Sequence, residues 1–303
     1  MGRVPTPQPD EATGATSTVA TLRAGDAIDA IFACTRKDRL TTKSGAPYLS
    51  LELRDRTGAL PGRVFKDADR LAGRFERGQL VRVRGRVERF RQELQLEVEN
   101  IATAPAGSGD PTRFLPVAYR DLDELDGFLE HLAGEVHDPG YSRFLGRLLG
   151  DAELRAAWRL APCAPRAGHH AYLGGLLEHT VAVATLAQEA CQLHPKLNSD
   201  LLLTAALVHD LGKTREYAYG AEIALSEEGR LLGHVALGLR LLEERGSDLD
   251  APRRLQLGHC VLTHHGADAA PQRRFGSAEA LALFRVNALD ASVKGALEHG
   301  LGT

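Results

Sequence analysis

Cysteine is scarce: four residues in 303, Cys34, Cys163, Cys191 and Cys260, with no CxxC pair among them. That scatter argues against a disulfide framework and a thiolate metal site, and leaves the thiols as small apolar side chains in a reducing compartment. No uninterrupted apolar run approaches the ~20 residues needed to cross a bilayer, and Met1 to Ser17 has no apolar signal core. The expectation is a cytoplasmic protein with no membrane partner. A strong net charge is missing as well. The 37 Lys+Arg against 40 Asp+Glu give a formal net charge of -3, which argues against a uniformly basic nucleic-acid binder. No internal repeat is present.

The balanced total hides two asymmetries. Between Arg36 and Leu96 sixteen Lys/Arg face eight Asp/Glu, a local charge of +8 that leaves −11 for the rest of the chain. All twelve histidines lie from His131 onward. A basic part without histidine therefore precedes an acidic part rich in it.

Residues 1–18 lack periodicity and read as a disordered tail. From residue 19 to 104 the pattern is β, with strands expected at Ala27–Thr35, Pro47–Leu53, Ala59–Phe65, Leu80–Glu88 and Glu93–Ile101. Val81, Val83 and Val87 alternate with Arg82, Arg84 and Arg86, the period-two signature of a half-buried strand. A short helix, Asp67–Arg74, falls between the third and fourth strands, the element order of an OB-fold barrel whose exposed face commonly binds single-stranded nucleic acid. Arg82, Arg84 and Arg86 would meet phosphates and release counterions. Tyr48, Phe65 and Phe90 are the aromatics available to stack bases, the two phenylalanines being equally readable as core.

Residues 105–112 (PAGSGDPT) read as a linker, and 113–303 as an all-α bundle with helices expected at Asp121–Val136, Tyr141–Leu149, Asp151–Leu160, Gly174–Leu193, Ser199–Leu211, Leu231–Arg245, Pro252–His264 and Ser277–His299. The helix Ser199–Leu211 is apolar nearly all round, yet it carries His209-Asp210 at its end. A buried carboxylate costs several kcal/mol unless paired or bound to metal. His179 in GGLLEHT, His234 in LLGHVALG and His264-His265 in LTHHG stand near the apolar faces of other helices, and His169-His170 precede the first of these. Bundle metal sites are assembled from such inward side chains. Imidazole with carboxylate suits Mn, Fe, Co, Ni or Zn rather than Mg, one or two ions of which would serve hydrolysis. Lys213, just past Asp210, offers a cation to a phosphate oxygen or leaving group. Its alternative is a surface lysine complementing a helix dipole.

At these residues the sequence resembles the HD superfamily of metal-dependent phosphohydrolases. HHAYLGGLLEHT, LVHDLGK, LLGH and THHG in that order, after a basic β domain, resemble the YhaM-type 3′→5′ exoribonucleases over roughly residues 20–300. The resemblance implies degradation of single-stranded RNA, and often DNA, from the 3′ end to nucleoside monophosphates, usually with manganese or cobalt. It implies that His179, His209 and Asp210 ligate metal, Asp210 bridging two ions, and that His234 and His264, with His265 as a further candidate, complete a second site. The late helix departs from the family pattern: FRVNALDA places Asn287 at the last ligand position, where similar proteins carry Asp, and Asp290 one turn on. Either completes the set.

The leading expectation is a 3′→5′ exonuclease of single-stranded RNA or DNA, with Asp210 and Lys213 catalytic and His169 and His170 as phosphate contacts. Two rivals stand beside it: a phosphohydrolase of a small or cyclic nucleotide, and a nucleic-acid-binding protein with an HD site impaired by Asn287. A homo-oligomer is compatible with all three.

Overall fold

The computed structural model describes residues 18–105, 109–165 and 168–300. Of the expected tail, everything before Thr18 lies outside the described residues, as do residues 106–108 of the expected linker. The chain forms two compact units, the first running to Phe114 and including Gly220–Glu222, the second comprising Leu115–Tyr219 and the chain from Ile223 on.

Five strands build the first unit: β1 (Ala27–Thr41), β2 (Pro47–Asp55), β3 (Gly58–Val64), β4 (Leu80–Phe90) and β5 (Glu93–Thr103), with helix α1 (Ala68–Ala72) between β3 and β4. They close into a barrel in the order β1-β2-β3-β5-β4. The β3–β5 pairing, Gly62 with Leu96, is parallel and closes an otherwise antiparallel sheet. This is the OB architecture that the alternation predicts. Val81, Val83 and Val87 are fully buried with Phe32, Leu51, Leu96 and Ile101, while the arginines between the valines face solvent. Strand β1 runs past the expected Thr35 to Thr41. Its register shifts between Cys34 and Arg36, after which RKDRLT pairs with β2 alone. That stretch is mostly exposed, so ladder hydrogen bonds hold it where no apolar pattern marks it.

The second unit is built on helices α2 (Leu122–Gly134), α3 (Pro139–Gly150), α4 (Ala152–Leu160), α5 (Gly175–Leu193), α6 (Ser199–Val208), α7 (Lys213–Glu216), α8 (Glu227–Arg245), α9 (Ala251–Thr263) and α10 (Ala278–His299). Side-chain caps start most of them: Asp121, Asp138, Asp151, Asn198, Ser226, Asp250 and Ser277 each accept a first-turn N–H, satisfying donors that a helix leaves open. The all-α expectation needs one correction, a hairpin of β6 (Tyr217–Tyr219) and β7 (Ile223–Leu225). Three-residue strands are too short for a period to register. Helix α8 begins earlier than Leu231 because Ser226 caps an additional turn, which ends at the non-helical Gly233 (φ 71°).

Helix α6 is the axis of this unit, every residue from Leu201 to Val208 being buried. Around it pack Leu125, Leu129, Phe144, Trp158, Leu177 and Leu257. Just beyond it, Gly212 lies against α8 so closely that a Cβ would stand 2.0 Å from the His234 carbonyl oxygen. Only glycine allows that approach, and it sets His234 beside Asp210. Cys34, Cys163 and Cys260 are buried and Cys191 is half-buried. Among the described residues no helix is long and apolar enough to cross a membrane.

Candidate metal centre

Helix α5 supplies His179, the end of α6 His209 and Asp210, α8 His234, the end of α9 His264 and His265, and α10 Asn287. The proton of each main ring is fixed from behind. His209 donates Nδ1–H to the Ala206 carbonyl at 2.9 Å and His264 to the Val261 carbonyl at 2.6 Å. A carbonyl only accepts, so Nε2 of both rings carries a lone pair. Carboxylates do the same for the other two. Nδ1 of His234 is 3.2 Å from Glu216 Oε1, and Nδ1 of His179 is 2.6 Å from Asp290 Oδ2. Such outer partners orient ligating imidazoles.

The Nε2 atoms of the four converge on one carboxylate, with His179 Nε2 also 3.3 Å from that of His209 and His234 Nε2 2.8 Å from that of His265. His179 and His209 stand 3.6 and 3.4 Å from Asp210 Oδ2, and His234 and His264 stand 3.5 and 3.3 Å from Oδ1. Lone pairs facing carboxylate oxygens repel unless cations lie between them. Both Asp210 oxygens and His264 Nε2 are buried without a hydrogen-bond partner among the described residues. The Lys213 ammonium, 2.7 Å from Oδ2, contributes charge there but no aligned hydrogen bond. A buried polar group left this way calls for an ion. The donor set of imidazole and carboxylate fits a divalent transition metal, with two groups available: His179, His209 and Asp210, and Asp210, His234, His264 and His265.

Asn287 and Asp290 take different positions. Asn287 donates Nδ2–H to the His264 carbonyl at 3.2 Å, which turns its Oδ1 toward His179 Nε2 at 3.0 Å, on the ligand side. Asp290 lies behind His179, where its Oδ2 also accepts from His170 Nε2 at 3.2 Å. His170 and His169 part company. His169 lines a cavity of about 310 Å³ with Asp210, Lys213, His264, His265 and a stretch of α10, whereas His170 is buried behind the site. There Tyr172 donates to Glu178 at 2.8 Å, so the His170 Nδ1–H at 3.0 Å donates to Tyr172 and the ring is a cation between two acids.

The electrostatics agree with this layout. Burial pushes the Asp210 carboxyl up, but the Lys213 ammonium overcomes it and holds the group well below the usual carboxylate range. Burial pushes His179 and His169 down to about 4 and His265 to about 3, keeping them neutral. For His170 burial is outweighed by Asp290 and Glu178, which raise it. Lys213, expected either at the site or on the surface, is buried. Glu216, Tyr172 and Glu178 escaped the sequence reading. KTRE places Glu216 three residues after Lys213, but nothing local links it to His234.

On the barrel, Tyr48 and Phe65 stack at a centroid distance of 5.6 Å. With Phe90, Lys43, Arg63 and Arg91 they line a groove of about 850 Å³. Phe65 and Phe90 are 49% and 57% exposed, so neither is core. The β4–β5 turn that carries Phe90 places Arg91 and Gln92 both at positive φ, the twist-matched form of a two-residue hairpin. Arg82, Arg84 and Arg86 are not brought to this groove. Arg82 is paired with Asp29 at 2.7 Å and Arg84 stands 4.0 Å from Glu99, while Arg86 donates to the Gly25 carbonyl at 3.4 Å. Arg63, Arg91 and Lys43 have no carboxylate partner among the described residues.

A barrel of OB type and a helical unit with this His/Asp cluster define the chain as a metal-dependent phosphohydrolase joined to a nucleic-acid-binding module. The HD domain family matches residues 176–292, and a family described as OB-fold nucleic acid binding domain matches residues 34–104. A Shouchella clausii protein named 3′-5′ exoribonuclease YhaM is 29% identical over 251 residues, covering 80% of this chain and 76% of its own. Proteins of the same name from Bacillus velezensis and Listeria monocytogenes are 28% identical over 247 residues and 26% identical over 278 residues, covering 80% and 89% of this chain and 77% and 86% of theirs. By this domain pair in this order, the chain is similar to the YhaM-type 3′→5′ exoribonucleases.

Proposed function

We propose that the protein is a metal-dependent 3′→5′ exonuclease that degrades single-stranded RNA to nucleoside monophosphates, with single-stranded DNA as a second substrate class. One observation carries the chemistry: the buried Asp210 presents one carboxylate oxygen to each of two separate pairs of imidazole Nε2 atoms. His179, His209 and Asp210, with Asn287, would hold one divalent ion, and Asp210, His234, His264 and His265 the other. Manganese is the proposed metal. A bound divalent ion supplies Lewis acidity to the phosphoryl group and acidifies water.

The remaining residues act on position and charge. Lys213 keeps Asp210 ionised and turns its other N–H bonds toward the cavity, where a phosphate oxygen can accept one. His169, neutral and with Nδ1 unpartnered among the described residues, faces the same space as a second phosphate contact. Asp290 and Glu216 hold the tautomers of His179 and His234, and His170 supports Asp290. On the barrel, Tyr48, Phe65 and Phe90 stack bases while Arg63, Arg91 and Lys43 meet phosphates. The assigned compartment is the cytoplasm. The relatives' naming favours a polynucleotide over a free cyclic nucleotide as substrate.

The test follows a 5′-labelled single strand in manganese. Progressive shortening with release of mononucleotides, stopped by chelator, is the expected result. Hydrolysis of free cyclic nucleotides with the strand left intact would overturn it.

A further inference from the structure

The cavity beside the metal centre has a second wall that the metal chemistry does not use. Phe284, Ala288, Ala291 and Ser292 of α10 line it together with His169 and Lys213. Their spacing of four, three and one places them on a single helix face. The wall's position relative to the ligands is fixed, because Asn287 on the same helix reaches both His179 and the His264 carbonyl. Phe284 is half-buried, with Phe275 packed against it at a centroid distance of 5.4 Å and the loop glycine Gly266 at its edge, where a Cβ would lie 4.0 Å away. The ring is thus held in place with part of its surface on the cavity. Ala288 and Ala291, one and two turns on, keep the space beside it open.

At about 310 Å³ the cavity is at the lower end of small-ligand pockets, which run from about 300 to 1,000 Å³. It has room for one nucleotide and not for a run of them. Part of the lining offers the Lys213 ammonium and imidazoles, the partners of a phosphate; the α10 part offers a flat ring and small side chains, the partners of a base and ribose. We propose that this cavity is a subsite for the 3′-terminal nucleoside, in which Phe284 stacks on the terminal base and Ala288 and Ala291 border its ribose. The subsite rests on the exonuclease reading above and deepens it, since it explains why cleavage takes single nucleotides from an end.

The experiment compares two 5′-labelled single strands, one ending in an ordinary 3′ nucleotide and one whose 3′-terminal residue lacks its base, cleaved by the full chain in manganese. Wild type should prefer the complete terminus by about tenfold in kcat/KM, the scale of one base stacked on an aromatic ring. Phe284→Leu should bring that ratio below about threefold, and Phe284→Tyr should keep it. A ratio between two substrates is insensitive to a general loss of folded or metal-loaded enzyme. Equal rates on the two strands with wild type, or an undiminished ratio in Phe284→Leu, would overturn the subsite. If wild type released no mononucleotide from either strand, the exonuclease reading itself would fall and the subsite with it.

Discussion

Asp290 grips His179 from behind: its Oδ2 lies 2.6 Å from Nδ1, while the lone pair of Nε2 faces Asp210 and Asn287. The same oxygen takes a second hydrogen bond from His170, so a buried cation and the buried His179 ring share one carboxylate. Asp290→Asn can no longer accept two such bonds as an anion. Manganese affinity should fall about 10- to 100-fold, and cleavage should recover at high manganese. Titration of manganese binding with activity alongside checks this; unchanged affinity would remove Asp290 from its supporting place.

Asp210→Ala takes away the carboxylate on which both pairs of histidines converge. Cleavage should be abolished while single-strand binding, proposed above for the barrel, persists. Activity surviving this change would mean that the site lies elsewhere.

Metal should stabilise the fold. A cation held by imidazoles that converge on one buried carboxylate would bind the native state and not the unfolded chain, and saturation at 100 times Kd adds about 2.7 kcal/mol. Manganese should therefore raise the melting temperature of wild type and leave that of Asp210→Ala unmoved. Thermal melts with manganese and with chelator give the answer.

On the barrel, the groove and the arginine row make opposite predictions. Phe65→Ala or Phe90→Ala should weaken single-strand binding by about 1–3 kcal/mol, the worth of one stacked base. Arg63→Ala should weaken it and reduce the salt dependence by about one counterion. Arg82→Ala should change little, because Asp29 already engages its guanidinium. Anisotropy titrations over a range of salt separate these outcomes.

Asp138 caps α3 through the Gly140 and Tyr141 N–H groups and receives Nε and Nη2 of Arg253 at 2.8 and 2.7 Å. The Arg253 guanidinium holds its carboxyl down to about 2 from an ordinary 3.8. A lowered folded-state value means that the stabilisation is complete above 3.8 and is lost as pH falls through about 2. Asp138→Ala should cost about 1–2 kcal/mol at neutral pH, the value of a lost cap. The gap from wild type should close as pH drops from about 4 toward 2, which urea unfolding at stepped pH would follow.

Local patterns were legible because their physics is local. Alternating valine and arginine marks β4, apolar residues at helical spacing mark the helices read from Asp151 and Ser277, and an apolar helix ending in His209-Asp210 marks a buried site. The helix α8 start and the β6–β7 hairpin were not legible, since a single turn and two three-residue strands carry too little periodicity.

What the sequence by itself determined is the inventory: a basic β barrel, a histidine-rich helical unit, and a set of candidate metal-binding residues. Tertiary structure decided how they are used. Asn287 faces the ligands and Asp290 backs His179, across more than a hundred residues of chain. His169 lines the cavity while its neighbour His170 lies behind it, and the aromatics gather in a groove that Arg82, Arg84 and Arg86 do not line. Each of these depends on which ring nitrogen finds a carbonyl or carboxylate, and on which guanidinium already has a carboxylate beside it. Those partners come from distant elements, so only their packing settles the roles.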